Sequence, residues 1–185
     1  AVNMGELKIQ DVAAKLTIGQ ISDVVFLLLL PVLLPKFKAK GILIVGMAAW
    51  AIRFGLFAGA NTIPATWMIY VGIALHGMCY DFIFVMGRMY VDRFATPDIR
   101  GAAQGLHAFV TLGAGMFVGS WLAGEVGGRF ATSALSELGE KVVTHRWEPI
   151  WLIPAALSAV LVIVFALVFH DRSETTPAAV DVTHG

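Results

Sequence analysis

The chain has 185 residues, of which 58% are hydrophobic and 14% are charged, and its mean hydropathy is +0.78. Soluble domains carry roughly a quarter of charged residues, so this composition predicts a membrane protein. Its 13 basic and 13 acidic residues cancel, which argues against a nucleic-acid-binding protein. Because Cys79 is the only cysteine, an intrachain disulfide and a cysteine metal cluster are excluded.

Apolar stretches predict an all-α membrane protein with five transmembrane helices, since about 20 apolar residues of helix cross a bilayer. The predicted helices cover residues 12–34, 41–58, 67–92, 99–125 and 151–169. Residues 1–11 are too few and too charged to span, and residues 127–149 are predicted to form a polar loop. We expect residues 1–172 to form one transmembrane domain and residues 173–185 a cytoplasmic tail.

The predicted loop at residues 35–40 gives the strongest topological signal, because it contains Lys36, Lys38 and Lys40. Short lysine-rich loops stay in the cytoplasm. The first helix is therefore predicted to run from outside to inside, and Pro31 can kink it. A chain that begins with Ala1 and holds an odd number of helices is expected to be a piece of a longer protein.

The third predicted helix carries His76, Tyr80, Asp81 and Arg88 among apolar residues. A carboxylate in hydrocarbon costs at least a few kcal/mol, so it normally faces a protein interior or a water-filled path. Asp81 is therefore the first candidate functional residue. The alternative is that Asp81 only pairs with a basic residue to hold helices together. His76 fits a polar wall residue and a packed, hydrogen-bonded histidine equally well.

A second carboxyl, Asp23, lies about 16 Å along the first predicted helix, near the middle of the membrane. Gln20 precedes it by one helical turn. A buried carboxyl can bind and release a proton near neutral pH when desolvation and nearby cations balance. Arg53 and Arg88 are candidate cations, although Arg53 is expected to pair with an acid and Arg88 with Asp92, four residues later.

The fourth predicted helix is rich in glycine. Two glycine pairs have the small-xxx-small spacing that lets helix backbones approach closely. These pairs are Gly101 with Gly105 and Gly115 with Gly119. We expect them to pack against another helix rather than to bind a ligand.

Five segments resemble, in order and spacing, the C-terminal half of the nucleoside:proton symporter family of the major facilitator superfamily. The segments are residues 17–23 (TIGQISD), 50–58 (WAIRFGLFA), 76–82 (HGMCYDF), 99–105 (IRGAAQG) and 150–153 (IWLI). The resemblance covers nearly the whole chain. It implies a partial C-terminal half of a twelve-helix carrier, containing helices eight to twelve, with the N-terminal half of the same carrier as its partner.

The resemblance also implies roles for single residues. Gln20 and Asp23 match a Gln-Ile-Ser-Glu motif that looks like a nucleoside-binding and proton-linked site, and Tyr80 with Asp81 matches a Phe-Asp pair. Asp23 stands where the family has a glutamate and is shorter by one methylene, and His76 stands where close relatives have a tyrosine. The implied substrate-binding residues are Gln20, Asp23, His76 and Tyr80, and the implied proton-coupling residues are Asp81 and Asp23.

The predicted function is therefore proton-coupled nucleoside transport by alternating access, with a nucleoside, a proton and the lipid bilayer as partners. No cofactor and no metal are expected. A nucleoside site needs an aromatic face and polar hydrogen-bonding groups, which Tyr80 and Gln20 supply. The alternatives are a facilitator of another small solute, such as a sugar or drug, and a structural membrane subunit. The sequence contains no hydrolase, nucleotide-binding or metal-ligand motif, so an enzyme is not predicted.

Overall fold

The computed structural model of the chain describes residues 11–63, 65–135 and 141–170, and this part is largely helical. It includes two π-helical segments, Asp81–Val85 and Phe109–Gly115, each of which continues directly from one α-helix into the next. Most of the predicted N-terminal loop (residues 1–10) and the predicted tail (residues 173–185) lie outside the described residues. The helices are α1 (Val12–Thr62), α2 (Thr66–Ala74), α3 (His76–Tyr80), α4 (Met86–Phe94), α5 (Arg100–Ala108), α6 (Met116–Arg129) and α7 (Trp147–Val168).

Helix α1 has 51 residues and contains one residue with non-helical dihedrals, Lys38, at φ 52° and ψ 170°. A straight helix would hold Asp23 and Arg53 about 45 Å apart. Both nevertheless interact with His76. The chain therefore reverses at Lys38, so that residues 12–37 (the first leg) lie beside residues 39–62 (the second leg).

The reversal shortens the predicted loop at residues 35–40 to a turn with a single non-helical residue. Pro31 and Pro35 both lie inside the helix, and the break falls at Lys38 rather than at Pro31. A proline is tolerated within a membrane helix when its neighbours satisfy the freed carbonyl group. The predicted kink at Pro31 remains a prediction, and the reversal of the chain falls seven residues later, inside the predicted loop.

The third predicted helix, residues 67–92, is bent. Helix α2 meets the helix that runs from His76 to Phe94 at an angle of 42°. Leu75 stands at the bend, although the sequence between residues 67 and 92 contains no proline. Further along, the N–H of Met86 donates to the carbonyl of Asp81, five residues earlier. This π-type hydrogen bond widens the helix beside Asp81.

The fourth predicted helix is observed as one helical stretch, Arg100–Arg129, which extends four residues beyond the predicted end. Its first turns are tied to α4, because Gln104 Nε2 donates to the carbonyl of Arg88 at 2.9 Å. Asp92 pairs with Arg100 at 3.3 Å. The prediction that Arg88 pairs with Asp92 is therefore wrong, since the chain after α4 folds back and brings Arg100 to that carboxylate.

Among the described residues, the glycine pairs of this stretch do not make the helix contacts that their spacing predicts. A Cβ atom added at Gly101, Gly105 or Gly119 would meet nothing among the described atoms within 4 Å. Close approaches occur elsewhere. A Cβ at Gly46 would lie 2.7 Å from the Cβ of Phe82. The second leg and the π-helical segment therefore need the absence of a side chain at this contact.

The predicted polar loop at residues 127–149 contains a small sheet. Strands β1 (Ala131–Leu135) and β2 (Lys141–His145) pair antiparallel, with Ala131 opposite His145. The hydroxyl groups of Thr132 and Thr144 hydrogen-bond across the pair at 3.0 Å. Cross-strand pairs of β-branched residues favour this arrangement. The predicted all-α fold is therefore corrected to a mostly helical one.

Helix α7 begins at Trp147, four residues before the predicted start, and packs along the second leg of α1. The indole of Trp151 stacks on Phe54 at 5.9 Å between ring centroids and lies edge-on to Phe57 at 5.1 Å. Near the other end of α7, Lys40 Nζ donates to the carbonyl of Ala166 at 2.8 Å. These contacts fix α7 against the second leg over its whole length.

By length and composition, three of the described helical stretches can cross a membrane, or four when the bent pair counts as one span. Many apolar side chains of these stretches face outward, as lipid contact requires; Phe117 is 77% exposed and Leu167 is 72% exposed. The chain is therefore a multi-pass membrane protein. The predicted count of five, which requires each leg of α1 to cross separately, remains a prediction.

Candidate functional site

The bend at Leu75 is held by Ser22, which projects from the first leg. Its hydroxyl donates to the carbonyl of Ala74 and accepts the N–H of Gly77 at 3.1 Å. A break in a membrane helix leaves backbone groups that need partners, because lipid offers none. One side chain therefore satisfies the groups on both sides of the bend. In the sequence, Ser22 is only one position of the Gln-Ile-Ser-Asp motif, and no pattern there predicts this contact.

The first leg and α3 approach each other closely at this point. A Cβ atom at Gly77 would lie 2.3 Å from the carbonyl carbon of Ser22 and 2.4 Å from the nitrogen of Asp23. A Cβ at Gly19 would lie 3.3 Å from the Cβ of His76. Two glycines, one on each helix, thus bring the polar residues of the first leg next to those of α3.

Arg53 reaches the same place from the second leg. Its Nη1 lies 2.8 Å from Nδ1 of His76, and its guanidinium lies 5.4 Å from the centre of the Phe57 ring. It also contacts the thiol of Cys79, which is fully buried. The direct partner of Arg53 is therefore a histidine, where the sequence predicted an acid.

Asp23 is partly buried and lies close enough to Arg53 and His76 for electrostatic interaction with both. Its Oδ1 atom is buried and makes no hydrogen bond to any described residue. Buried carboxylate oxygens are normally hydrogen-bonded, so such an oxygen is typical of a site that binds a proton, water or ligand. Asp23 therefore has the environment expected of a functional carboxyl.

Asp81 is the most buried charged residue in the described part of the chain, with 3% of its surface exposed. It opens the π-helical segment and interacts electrostatically with Asp23. Its Oδ2 also makes no hydrogen bond within the described part of the chain. The alternative role of Asp81, a structural ion pair, has no support here, because no basic group lies within ion-pair distance of Asp81 among the described residues.

Tyr80 belongs to an aromatic row on one face of the helix. The ring centroids of His76 and Tyr80 are 6.1 Å apart, and those of Tyr80 and Phe84 are 5.0 Å apart. The three residues are spaced by four, so they fall on the same face. Tyr80 is 37% exposed and Gln20 is also exposed. This face can offer stacking and hydrogen bonding to a flat polar molecule.

The structure therefore brings Asp23, His76 and Asp81 together and leaves Gln20 and Tyr80 exposed on the first leg and α3. Arg88 does not join the cluster as a tuning cation; its side chain is exposed and its carbonyl is bonded to α5. Arg53 does join it. Its contact with His76 links residues that are 23 positions apart, so no local pattern in the sequence could indicate it.

A separate apolar cavity of about 950 Å³ lies between the second leg, α6 and α7. None of the five predicted site residues lines it. Its polar groups are few, so it lacks the convergent hydrogen-bonding groups that orient a polar ligand. The candidate site is therefore the polar cluster and not this cavity. Residues that line the cavity include Trp50, Phe54, Leu122, Trp151 and Leu157.

Spanning helices with two neighbouring carboxyls, a partly buried cation and an aromatic face are typical of secondary membrane transporters. Within that class, the chain belongs to the nucleoside H+ symporter family, whose sequence pattern matches residues 2–174. The resemblance stated from the five motifs is thereby confirmed. Members of this family are transporters and not enzymes, in agreement with the prediction.

Three relatives from Escherichia coli (strain K12) support the assignment. The chain is 28% identical to the nucleoside permease NupG over 170 residues, which is 91% of this chain and 38% of that protein. It is 31% identical to the putative nucleoside transporter YegT over 179 residues, or 95% and 41% of the two chains. It is 30% identical to the xanthosine permease over 173 residues, or 91% and 39%.

The fold is also similar to a solved structure. The crystal structure of the nucleoside transporter NupG matches with a TM-score of 0.74 and 28% identity, over 89% of this chain and 38% of that one. A mutant form of the same transporter matches with a TM-score of 0.75. The chain thus spans about two-fifths of the length of these relatives.

Proposed function

We propose that this chain is part of a carrier that moves nucleosides inward across a bacterial inner membrane, coupled to protons, by alternating access. The observation that carries the proposal is the pair Asp23 and Asp81, two carboxyls in spanning helices with oxygens that lack hydrogen bonds within the described chain. A buried ionisable group in a membrane helix marks an ion or substrate path. Family membership supports a nucleoside as the cargo.

In this proposal the two carboxyls have different tasks. Asp81 binds and releases the coupling proton, because it is buried in the widened helix and interacts electrostatically with a second carboxyl. Two interacting carboxyls repel each other when both are charged, which favours a proton on one of them. Asp23 links that proton to the cargo, since it also interacts with His76.

The nucleoside is held by Gln20, Asp23, His76 and Tyr80. The aromatic ring of Tyr80 stacks on the base, and the amide of Gln20 can both donate and accept hydrogen bonds to the base or ribose. The exposed position of Gln20 and Tyr80 supports this role, because a substrate must reach them.

The architecture proposed for the carrier is that of the major facilitator superfamily. The five spans consist of the two legs of α1, the bent helix from Thr66 to Phe94, the stretch Arg100–Arg129 and α7. The lysines around the turn at Lys38 put that turn in the cytoplasm. In such carriers the substrate site lies between two halves, so an N-terminal half of the same protein would supply the opposite wall.

Uptake in proteoliposomes tests the proposal. The full-length carrier is reconstituted, an inward proton gradient is imposed, and accumulation of labelled uridine is measured with and without unlabelled nucleosides, sugars and a protonophore. The expected result is uphill uptake of uridine. Unlabelled nucleosides should compete with this uptake, sugars should not, and the protonophore should abolish it. Competition by sugars instead of nucleosides would identify a different facilitator. Absence of any solute flux from correctly folded carrier would indicate a structural subunit.

A further inference from the structure

The contact between Arg53 and His76 fixes where the imidazole carries its proton. A guanidinium has only N–H donors and stays charged in proteins. Its Nη1 lies 2.8 Å from Nδ1 of His76, so Nδ1 must be the acceptor and cannot hold a hydrogen. The ring is therefore neutral, with its proton on Nε2.

The surroundings keep Arg53 in this position. Its guanidinium lies over the Phe57 ring on its own leg and against the buried Cys79 on α3. The ionisable groups that interact electrostatically with His76 are Arg53 on the second leg and Asp23 on the first leg. On its own helix, the aromatic ring of Tyr80 follows one turn later. The imidazole thus lies between a fixed cation and the proposed substrate-binding residues.

We propose that Arg53 is a positioning residue, which holds His76 as the neutral Nε2–H tautomer so that His76 donates a hydrogen bond to an acceptor oxygen of the nucleoside. This inference rests on the proposed function and deepens it. Because Arg53 occupies the acceptor nitrogen, His76 offers the substrate a donor and nothing else. The site therefore favours nucleosides that present a carbonyl or ribose oxygen there over analogues that lack it.

The tautomer is measured directly by nitrogen-15 NMR of the full-length carrier labelled at histidine, with the His76 signals assigned by their loss in His76→Gln. The expected spectrum at neutral pH shows an unprotonated Nδ1 and a protonated Nε2. In Arg53→Met both tautomers should appear. A protonated Nδ1 in the unmodified carrier would overturn the proposal.

Transport kinetics test the consequence for binding. Arg53→Met should raise KM for uridine about fivefold to tenfold, the value of one lost hydrogen bond, with a smaller change in kcat. Arg53→Lys retains a cationic donor and should restore most of the affinity. Arg100→Met, which removes an arginine outside the cluster, serves as the matched control. Deoxyribonucleosides and base analogues without the carbonyl then show which oxygen accepts the hydrogen bond. The KM of the analogue that lacks this oxygen should not change in Arg53→Met, because that analogue has no hydrogen bond to lose.

A double variant separates positioning from general structure. His76→Gln keeps an amide donor near the place of Nε2, so Arg53→Met should add less than a twofold change in KM in that background. An equal effect of Arg53→Met in both backgrounds would show that Arg53 does not act through His76, and would overturn the inference. If the unmodified carrier transports no nucleoside, the proposed function fails, while the NMR experiment still decides the tautomer.

Discussion

Ser22 of the first leg accepts a hydrogen bond from the backbone N–H of Gly77 at 3.1 Å, across an interval of 55 residues. The same hydroxyl donates to the carbonyl of Ala74. The side chain therefore closes the gap in backbone hydrogen bonding that the bend at Leu75 opens. Because Asp23 follows Ser22 directly and His76 precedes Gly77, this one contact sets the distance between the polar residues of both helices.

Ser22→Ala should destabilise the carrier. The substitution leaves a buried N–H and a carbonyl without their side-chain partner, at a cost of about 1–2 kcal/mol. Thermal unfolding of the purified carrier measures the effect, with Ser120→Ala, at an exposed position of α6, as the control. Equal melting temperatures for the two variants would contradict the role assigned to Ser22.

Gly77→Ala should separate the first leg from α3. Its new Cβ would lie 2.3–2.4 Å from backbone atoms of Ser22 and Asp23. Only a movement of one of the two helix backbones can relieve this clash. We expect a large loss of folded carrier in detergent, measured by size-exclusion chromatography. Gly124→Ala is the matched control, because a Cβ there meets nothing among the described atoms within 4 Å. A folded and active Gly77→Ala carrier would refute the close approach.

Asp81→Asn should abolish uphill uptake of uridine while the carrier is still expressed at the normal level. The amide has nearly the shape of the carboxyl but cannot exchange a proton, so the gradient no longer drives accumulation. Exchange of labelled for unlabelled nucleoside, which needs no net proton movement, should persist. Asp92→Asn, at the exposed pair with Arg100, is the control. Normal accumulation in Asp81→Asn would exclude Asp81 as the coupling group.

Tyr80→Leu should weaken nucleoside binding about tenfold, because stacking of a base on an aromatic ring contributes about 1–3 kcal/mol. Tyr80→Phe keeps the ring and its place in the row with His76 and Phe84, so it should retain most of the affinity. Isothermal titration calorimetry of the purified carrier with uridine measures both. Similar losses in the two variants would indicate that the hydroxyl matters and the ring does not.

The helical stretches could be predicted because lipid requires long apolar segments, which the sequence displays directly. The start of α1 coincides with the predicted residue 12, and the fourth stretch begins within one residue of the prediction. Asp23 and Asp81 could be singled out for a related reason, since a carboxyl in an apolar segment is costly wherever the chain folds. Their roles in transport remain predictions.

The remaining features depend on contacts between distant parts of the chain. The bend at Leu75 is stabilised by the hydroxyl of Ser22 on the first leg. Position 75 holds neither proline nor glycine, so the sequence does not indicate the bend. The pairing of Asp92 with Arg100 rather than Arg88 depends on the path of the connecting chain. Strands β1 and β2 are stabilised by each other, so neither is evident from its own five residues.

The reversal at Lys38 joins the two legs of α1 by a very short connection. Two long helices joined through one non-helical residue have little freedom to separate at that end, so we expect the spacing of Asp23 and Arg53 to be preserved through the proposed transport cycle. A covalent crosslink between engineered cysteines on the two legs is therefore expected to be silent in uptake assays. Inhibition by such a crosslink would reveal sliding of one leg along the other.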